Sequence, residues 1–348
     1  MHAGALERLA GHLAADRTTA AVVVSDDRVA PLYGAPLVEA LRGLGGVAHL
    51  LVFPAGERSK SRETKADLED RLADLGVGRQ VRIVAVGGGV TGDLAGFVAA
   101  TWHRGVSWIQ APTSLLAMVD AAIGGKTAVD VPAAKNLIGA FHQPESVWID
   151  PRALATLPGA SVRHGLAEVV KTAVVGDARL FRALERSPGP LAGGSPEALE
   201  PVIVACARRK GTIVAADERA AGARAALNFG HTVAHALEAA SGWELAHGDA
   251  VAIGLAVESA LAVERTGFPI DDRERVLAAL RYLGLPLSVP GSVDLDRALA
   301  FAARDKKNVG RAVRCALPCA IGRMPAGDAV TTTIATGELG RALRAAVG

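Results

Sequence analysis

Histidines and a carboxylate that could bind a metal ion stand out in the second half of the chain. His231 and His235 are separated by four positions, so on a helix both rings lie on one face. His247 follows soon after them, and Glu168 lies upstream, with Lys171 three positions beyond it in an otherwise apolar stretch. A carboxylate with imidazoles is typical of a zinc site that keeps one position open for a substrate. The competing interpretation is that these histidines are ordinary core or surface residues.

A glycine-rich loop in the first half has the spacing of a nucleotide-binding turn. Gly87, Gly89 and Gly92 match the pattern GxGxxG, directly after the apolar run 81–86 and before a helical pattern. Such a loop lets backbone N–H groups approach a pyrophosphate at a helix N-terminus, although glycine clusters also form simple tight turns. A standard Rossmann fingerprint has an acidic residue about twenty positions later, and residues 107–113 contain none. We therefore expect the loop to bind NAD within a different sheet topology.

Polar and cationic residues follow the glycine loop. Asp120 and Lys126 lie on either side of a Gly-Gly pair, and Lys135 precedes Asn136; a solvated loop is the alternative interpretation. Further cations occur along the chain at Arg104, Lys210, Arg224, Lys306 and Lys307. Lysine and arginine gathered near a metal suit an anionic substrate that carries phosphate and carboxylate groups. The sequence therefore favours a negatively charged small molecule as the substrate.

The composition is that of a globular protein rather than a binder of nucleic acid or membranes. The 348 residues are 50% hydrophobic, enough for a large core and two domains, and the net charge is +2. The sequence has no apolar run of bilayer-crossing length, and its first residues lack the apolar stretch of a signal peptide. Cys206, Cys315 and Cys319 are too few for a disulfide framework and are expected to be buried thiols. These features predict a cytoplasmic enzyme.

Secondary-structure patterns divide the chain into two parts. In the first, short apolar runs alternate with helical spacing, which predicts βα units and a mostly parallel sheet. The runs are 20–25, 47–54, 81–86 and 107–111. Beyond Asp150 helical periodicity dominates. The helical stretches are 165–172, 196–216, 232–242 and 251–266. We expect an α/β domain over residues 1–155 and a mostly α-helical domain over residues 156–348.

Several segments together resemble the 3-dehydroquinate synthases, a family of the sugar phosphate cyclase superfamily. The similarity extends from residue 26 to residue 322. It is densest at 86–97, 104–105, 112–117, 119–120, 124–130, 135–144 and 228–231. The resemblance implies a Rossmann-like, NAD-binding α/β domain, a mostly helical metal-binding domain and usually a homodimer. It implies conversion of 3-deoxy-arabino-heptulosonate 7-phosphate to 3-dehydroquinate and phosphate in the shikimate pathway, which leads to the aromatic amino acids.

The resemblance also implies roles for individual residues. The implied metal ligands, for Zn²⁺ or alternatively Co²⁺, are Glu168, His231 and His247. His235, which the spacing pairs with His231, instead handles a proton near the substrate phosphate. The implied catalytic residues are His235, Lys126, Lys171 and Asp120. The implied substrate-binding residues are Arg104, contributed across a dimer interface, and Asn136, Lys210, Arg224, Asn228 and Lys306 or Lys307. The implied NAD-binding residues are Asp26, Glu57, Lys60, Gly89, Val90, Thr91, Gly92, Asp93, Thr113, Ser114, Lys126, Lys135, Leu154 and Thr156.

The implied reaction uses NAD catalytically. Oxidation of the C5 alcohol acidifies the neighbouring proton, and zinc polarises the C4 and C5 oxygens. The departing phosphate can take that proton itself. The same nicotinamide then returns the hydride, and an internal aldol step closes the ring of a substrate held in a folded conformation. The net reaction is therefore that of a carbon–oxygen lyase that releases phosphate.

One position departs from the family pattern. Ala220 stands where the family usually carries a glutamate, four positions before Arg224. This departure leaves open another sugar phosphate cyclase, such as an aminodehydroquinate or cyclitol synthase. A metal-dependent polyol dehydrogenase and a non-catalytic NAD-binding paralogue are the remaining alternatives. Lys210, Arg224 and Asn228 favour a carboxylate-bearing substrate and hence a dehydroquinate synthase.

Overall fold

The chain folds into two compact units, Met1–Leu157 and Pro158–Gly348. The structure, a computed structural model, describes residues 1, 3–16, 18–131, 134–219, 222–304 and 312–346. The division between the units falls two positions after the boundary expected from the sequence. Among the described residues, no helix combines the length and the apolar character needed to span a bilayer.

The first unit alternates helices and strands. In chain order its elements are α1 (Ala5–Ala14), β1 (Ala20–Asp26), α2 (Ala35–Gly43), β2 (Ala48–Phe53), α3 (Arg62–Asp74), β3 (Val81–Gly87), α4 (Gly89–Thr101), β4 (Ser107–Pro112), β5 (Lys126–Val131), β6 (Ala134–Phe141) and β7 (Ser146–Val147). Local signals explain several boundaries. Ser61, for example, caps α3 by accepting a hydrogen bond from the N–H of Thr64 at 3.2 Å.

Five parallel strands form the sheet of the first unit, in the order β2-β1-β3-β4-β7. One apolar cluster, which includes Leu68 and Leu94, covers one face, and a second, which includes Leu9 and Leu41, covers the other. Coverage of both faces explains why the strands are continuous apolar runs. The chain passes from β1 to β2 on one side and to β3 on the other. The carboxyl ends of β1 and β3 therefore form the switch point where sheets of this type bind ligands.

The strands β5 and β6 pair as an antiparallel hairpin, where the sequence showed only a polar cluster. Val129 is fully buried, and β5 packs on α4. Gly139 lies opposite Ala128, and a Cβ at this glycine would overlap the backbone of β5. The hairpin was missed because its outer strand has weak hydrophobic alternation, with Leu137 and Phe141 exposed.

The second unit is mostly helical. Its elements are α5 (Gly159–Gly176), α6 (Ala178–Arg186), α7 (Pro188–Ala192), α8 (Pro196–Ala216), α9 (His231–Ala240), α10 (His247–Thr266), α11 (Ile270–Tyr282), α12 (Leu295–Arg304), β8 (Ala312–Ala316), β9 (Thr331–Ala335) and α13 (Thr336–Ala345). Thirteen of the 20 residues of α10 are buried, because α5, α9, α11 and α13 all pack around it. The hairpin of β8 and β9 was not predicted. The predicted fold class, an α/β unit followed by a mostly helical unit, is confirmed.

Candidate active site

The second unit brings together three side chains with metal-ligand chemistry. Glu168 projects from α5, His231 is the first residue of α9 and His247 is the first residue of α10. Glu168 Oε1 lies 3.2 Å from His231 Nε2 and 3.4 Å from His247 Nε2. One donor atom from each residue lies within 4.8 Å of the other two. The side chain of Glu168 is 1% exposed, whereas those of His231 and His247 are 13% and 32% exposed, so the cluster is accessible from the histidine side.

The second ring nitrogen of each histidine has its own partner. His247 Nδ1 lies 3.2 Å from Oε2 of Glu238, a buried carboxylate on α9. His231 Nδ1 lies 3.3 Å from the carbonyl oxygen of Phe229. A histidine that binds a metal commonly donates its other N–H to a carboxylate or a carbonyl, which leaves Nε2 as the ligand atom. The donor set of Glu168 Oε1 and two Nε2 atoms therefore fits a divalent ion.

The electrostatics of this cluster favour a bound cation. Burial raises the pKa of Glu168, but Lys171 and His231 outweigh that effect and hold it well below its usual range. Lys171 lies one helical turn after Glu168 and forms an ion pair with Oε2. Burial lowers the pKa of His247, but hydrogen bonds with Glu168 and Glu238 raise it to about 10. A metal ion at this cluster would compete with a proton for a nitrogen of His247.

His235 lies beside the three candidate ligands. It follows His231 by one turn of α9, and the two ring centroids are 5.4 Å apart. Its ring is stacked with that of His247 at a centroid distance of 6.4 Å. His235 is exposed, whereas Glu168 is buried and both other histidines are half-buried. The helical spacing correctly placed the rings of His231 and His235 together, and the structure adds His247 from a separate helix.

Buried cations of the second unit lie on three connected elements. Lys171 is on α5, Lys210 is on α8 and Arg224 is in the turn Ala223–Asn228, and all three are buried. The turn packs against both helices, and half-buried Asn228 is its last residue. Positive charge concentrated in a low-dielectric region attracts an anionic ligand.

The loop before Arg224 is held by the end of α8. Asp217 Oδ2 accepts hydrogen bonds from the N–H groups of Gly222 at 2.8 Å and Arg224 at 3.0 Å. The Arg224 guanidinium donates to the carbonyl oxygen of Glu218 at 3.0 Å. These bonds fix the direction of the Arg224 side chain. Ala220, Lys306 and Lys307 lie outside the described residues.

The glycine loop connects β3 to α4, as the sequence predicted. Gly88 precedes the first residue of α4, and Thr91 and Gly92 lie in its first turn. A Cβ on Gly87 would lie 2.6 Å from Cβ of Thr91, and a Cβ on Gly92 would lie 2.6 Å from Oε1 of Gln110. A side chain at Gly87 would therefore displace Thr91, and one at Gly92 would displace the amide group of Gln110. The helix N-terminus therefore presents backbone N–H groups at the switch point of the sheet.

Charged side chains lie next to the first turn of α4. Asp26, at the end of β1, accepts a hydrogen bond from Thr91 Oγ1 at 3.4 Å. Lys60 Nζ forms an ion pair with Asp93 at 2.5 Å and donates to the side-chain oxygen of Asn136. The structure therefore joins Asn136, predicted to bind substrate, to two residues predicted to bind NAD.

The β5–β6 hairpin carries the other predicted charges of this region at its two ends. Lys126 is the first residue of β5. Lys135 Nζ lies 3.8 Å from a carboxylate oxygen of Glu57. Asn136 has a positive φ of 53°, and its N–H donates to Asp130 Oδ1 at 2.7 Å. That bond stabilises a backbone conformation that asparagine tolerates better than most residues.

Four further predicted residues of the first unit lie where strands and turns end. The N–H of Thr113 donates to the carbonyl of Gly87 at 2.9 Å, next to the glycine loop. Ser114 Oγ accepts from the N–H of Ala117 at 3.3 Å. Leu154 is buried in the turn Pro151–Thr156, and Thr156 Oγ1 lies 2.8 Å from the hydroxyl of Tyr33.

Arg104 and Asp120 lie in two short helical turns of the first unit. Arg104 is exposed, in a short turn after α4, and both His103 and Arg104 have positive φ values of 47° and 67°. Positive φ is uncommon outside glycine and is often found at functional positions. Asp120 is half-buried in the helical turn Ala117–Ala121.

Comparison with known proteins decides the family. Family profiles for the 3-dehydroquinate synthase N-terminal and C-terminal regions match residues 50–164 and 165–308. The chain belongs to the 3-dehydroquinate synthase family. The 3-dehydroquinate synthase of a Synechococcus strain is 43% identical over 315 residues, which are 90% of this chain and 86% of that protein. The family resemblance seen in the sequence is therefore confirmed.

Solved structures similar to this member of the 3-dehydroquinate synthase family include two carbocycle synthases. A 2-deoxy-scyllo-inosose synthase, complexed with carbaglucose-6-phosphate, NAD⁺ and Co²⁺, has a TM-score of 0.90 and 26% identity, and covers 99% of this chain and 96% of its own. The 2-epi-5-epi-valiolone synthase of Streptomyces hygroscopicus, with NAD⁺ and Zn²⁺ bound, has a TM-score of 0.85 and 32% identity. The match covers 97% of this chain and 94% of the synthase.

One residue at the site was not singled out from the sequence. Glu238 lies within the histidine segment, three positions after His235, but received no role. The structure shows that it contacts Nδ1 of His247. The available signal was a charged residue among the apolar positions of a helix, the same signal that identified Glu168.

Proposed function

We propose that the chain is a 3-dehydroquinate synthase, which converts 3-deoxy-arabino-heptulosonate 7-phosphate to 3-dehydroquinate and phosphate as a carbon–oxygen lyase of the shikimate pathway. The observation that carries the proposal is the Glu168/His231/His247 cluster, with donor atoms within 4.8 Å of one another, in a member of this family. A cluster of this composition suits a catalytic metal ion with an open coordination position.

Glu168, His231 and His247 would hold the divalent ion, for which Zn²⁺ is our first choice and Co²⁺ the alternative. The partners of the two Nδ1 atoms support this assignment, as do the Co²⁺ and Zn²⁺ in the two similar structures. Bound NAD would supply a reversible oxidation of a secondary alcohol, and the metal ion would polarise the substrate oxygens at that position.

For NAD we propose the residues around the glycine loop. The N-terminus of α4, with Gly89 to Asp93, suits the pyrophosphate. Asp26 lies at the switch point and is bonded to Thr91, which suits a ribose hydroxyl. The remaining proposed contacts are Glu57, Lys60, Thr113, Ser114, Lys126, Lys135, Leu154 and Thr156. The NAD⁺ in the two similar structures supports the choice of cofactor.

For the substrate we propose the buried cations and the residues near them. Lys171, Lys210 and Arg224 would bind its anionic groups, because buried positive charge favours phosphate and carboxylate. His235 is exposed beside His231 and His247, so its ring would be available to hold a proton near the leaving phosphate. Asp120, Lys126, Asn136, Asn228 and one of Lys306 and Lys307 complete the proposed set.

We also propose a homodimer in which Arg104 acts in the partner's site. Arg104 is exposed and has a positive φ, which supports a role at the surface of the subunit, where it could reach a partner. A cytoplasmic location stays a prediction from the sequence.

Product analysis tests the proposed activity. Purified protein, NAD, Zn²⁺ and the heptulosonate phosphate should give equal amounts of phosphate and 3-dehydroquinate with no accumulating NADH. A His231→Ala variant should lose both metal and turnover, whereas His49→Ala, in β2, should retain both. Stoichiometric NADH would instead indicate a polyol dehydrogenase. Absence of turnover with a panel of sugar phosphates would indicate a non-catalytic paralogue.

A cyclase for another sugar phosphate is the second candidate. Ala220, where the family usually has a glutamate, favours it, as does the 32% identity to a valiolone synthase. The 43% identity to a dehydroquinate synthase favours the main proposal. Identification of the carbocyclic product by NMR separates the two. If the main proposal holds, Ala220→Glu should act faster than the natural chain on the heptulosonate phosphate, because a proton-handling group is better oriented.

A further inference from the structure

The first turn of α9 is held by a carboxylate from another helix. Glu258, on α10, is fully buried. Its Oε2 accepts a hydrogen bond from the N–H of Gly230 at 2.8 Å, and its Oε1 accepts one from the N–H of Val233 at 3.1 Å. Gly230 is the N-cap residue of α9 and provides no side-chain cap. His231, the first residue of α9, therefore lies between two backbone groups that are both bonded to Glu258.

Glu258 satisfies the same backbone N–H groups that a capping box satisfies with residues of a single segment. In a capping box, the N-cap side chain accepts from the third helical N–H, and the side chain at that third position accepts from the N-cap N–H. Here one carboxylate accepts from both donors, Val233 and Gly230. Because it comes from α10, it fixes the start of α9 relative to α10. His247, another candidate ligand, is the first residue of α10.

Glycines make the close approach of the two helices feasible. Gly254 lies one turn before Glu258 on α10, and a Cβ there would overlap the carbonyl oxygen of Gly230. Gly230 has a φ of 81°, and a Cβ on it would lie 3.0 Å from the backbone nitrogen of Leu255. The same face of α10 thus supplies both the space and the hydrogen-bond acceptor for the N-terminus of α9.

We propose that Glu258 is a positioning residue for the metal centre: it anchors the first turn of α9 so that His231 Nε2 lies at the distance from Glu168 and His247 that one ion requires. The inference rests on the proposed metal site. Glu258 touches none of the three candidate ligand side chains in the hydrogen bonds described; it acts through the backbone on either side of His231. Preorganised ligands bind a metal more tightly because they lose less conformational entropy on binding.

Metal affinity of Glu258→Gln is the direct test. The amide keeps one accepting oxygen, but its NH₂ group faces a backbone N–H donor, so one anchor is lost. We expect Zn²⁺, titrated against a chelator, to bind about 10- to 100-fold more weakly, the range typical of residues that orient metal ligands. The visible spectrum of the Co²⁺-substituted protein should change as well, because ligand geometry changes.

Glu338→Gln is the matched control. Glu338 is also a buried glutamate of the second unit, and it pairs with Arg265 of α10 at 2.5 Å. Its loss should lower stability without changing Zn²⁺ affinity or the Co²⁺ spectrum. Equal affinity and identical spectra for Glu258→Gln and wild type would overturn the proposal. If Glu258→Gln does not fold, Gly254→Ala decides, since it displaces the same turn while keeping the carboxylate; unchanged affinity there overturns the proposal.

His231→Ala distinguishes an error in the proposed metal centre from an error in the proposed role of Glu258. If it binds Zn²⁺ as tightly as wild type, the proposed metal centre itself is wrong. If it loses the metal while Glu258→Gln keeps the affinity and the Co²⁺ spectrum of wild type, the metal centre stands and the positioning role fails.

Discussion

Single buried carboxylates determine how the candidate ligands are presented. Glu168 supplies the central donor atom, and Glu238 contacts the far nitrogen of His247. Burying a carboxylate is costly unless it is paired and hydrogen-bonded. Glu168 pairs with Lys171 and contacts two histidines, and Glu238 contacts His247, so the burial of both acids and the site chemistry depend on each other.

Replacing Glu238 should weaken metal binding without removing a ligand. With Glu238→Ala, the His247 ring loses the partner at Nδ1 and is free to rotate, so Zn²⁺ affinity should fall about 10- to 100-fold. Glu238→Gln keeps an oxygen that can accept from Nδ1–H, so its loss should be smaller. Chelator competition measures both. A larger loss for Glu238→Gln than for Glu238→Ala would show that Glu238 does not orient the ring by hydrogen bonding.

At the level of elements, the sequence predicted what depends on local pattern. The strands β1 to β4 and the helix α8 were readable because apolar runs and helical periodicity survive without long-range information. The hairpins β5–β6 and β8–β9 were not predicted, because β6 has weak hydrophobic alternation and because β8, which ends at Ala316, pairs with a strand that begins only at Thr331. Likewise, the spacing of His231 and His235 was readable, but the choice of His247 came from family resemblance, and the role of Glu238 required the fold.

The packing of α4 against β4 should determine the conformation of the glycine loop. A Cβ at Gly92 would lie 2.6 Å from Gln110, and a Cβ at Gly96, one turn later, would lie 2.6 Å from Trp108. Each alanine variant should therefore lose about 1–3 kcal/mol of stability through overpacking. Only Gly92 lies in the first turn, so only Gly92→Ala should also weaken NAD binding, by about tenfold or 1.4 kcal/mol.

Calorimetric titration of NAD and thermal unfolding of both variants would measure these effects. Gly96→Ala serves as the control for stability loss within the same helix. If Gly96→Ala weakens NAD as much as Gly92→Ala does, the effect comes from general destabilisation and the loop has no special dependence on Gly92.

Asp150 links the start of α1 to the turn Pro151–Thr156. Its Oδ2 accepts from the N–H of Gly4 at 3.0 Å, and its Oδ1 accepts from the N–H of Arg152 at 3.1 Å. Burial raises the pKa of Asp150, but the hydrogen bonds from Arg152 outweigh it, so the pKa is lower in the folded state. Its stabilisation is therefore complete above the ordinary aspartate pKa of about 3.9 and is lost as the pH falls through the lowered value.

Asp150→Asn should thus be less stable than wild type at neutral pH by about 1–3 kcal/mol, and the difference should shrink in acid. Denaturant unfolding at several pH values measures it. Asp296→Asn is the control, because its pair with Arg344 is exposed and should contribute less than about 1 kcal/mol. A difference that grows as the pH falls would contradict the assigned direction of the pKa shift.

In the molecule as a whole, each unit carries a different part of the proposed chemistry. The first holds the glycine loop at the switch point of its sheet, and the second holds the candidate metal ligands and the buried cations. Neither the glycine loop alone nor the metal ligands and cations alone would account for the proposed reaction, in which an alcohol is oxidised, phosphate leaves and the hydride returns. Arg104 adds a third requirement, because its proposed role lies in the partner's site.

Subunit mixing tests that requirement. Arg104→Ala and Lys171→Ala should each be inactive alone, since the first removes a proposed substrate contact and the second removes a buried cation next to Glu168. In a symmetric dimer with Arg104 acting across the interface, a hybrid has one site with both residues intact. Random exchange makes half of the dimers hybrid, so the mixture should recover about one quarter of wild-type activity. If Arg104 acts in its own site, every site of the hybrid lacks one residue. No recovery, with exchange verified by differently tagged chains, would therefore place Arg104 in its own subunit's site or outside any site.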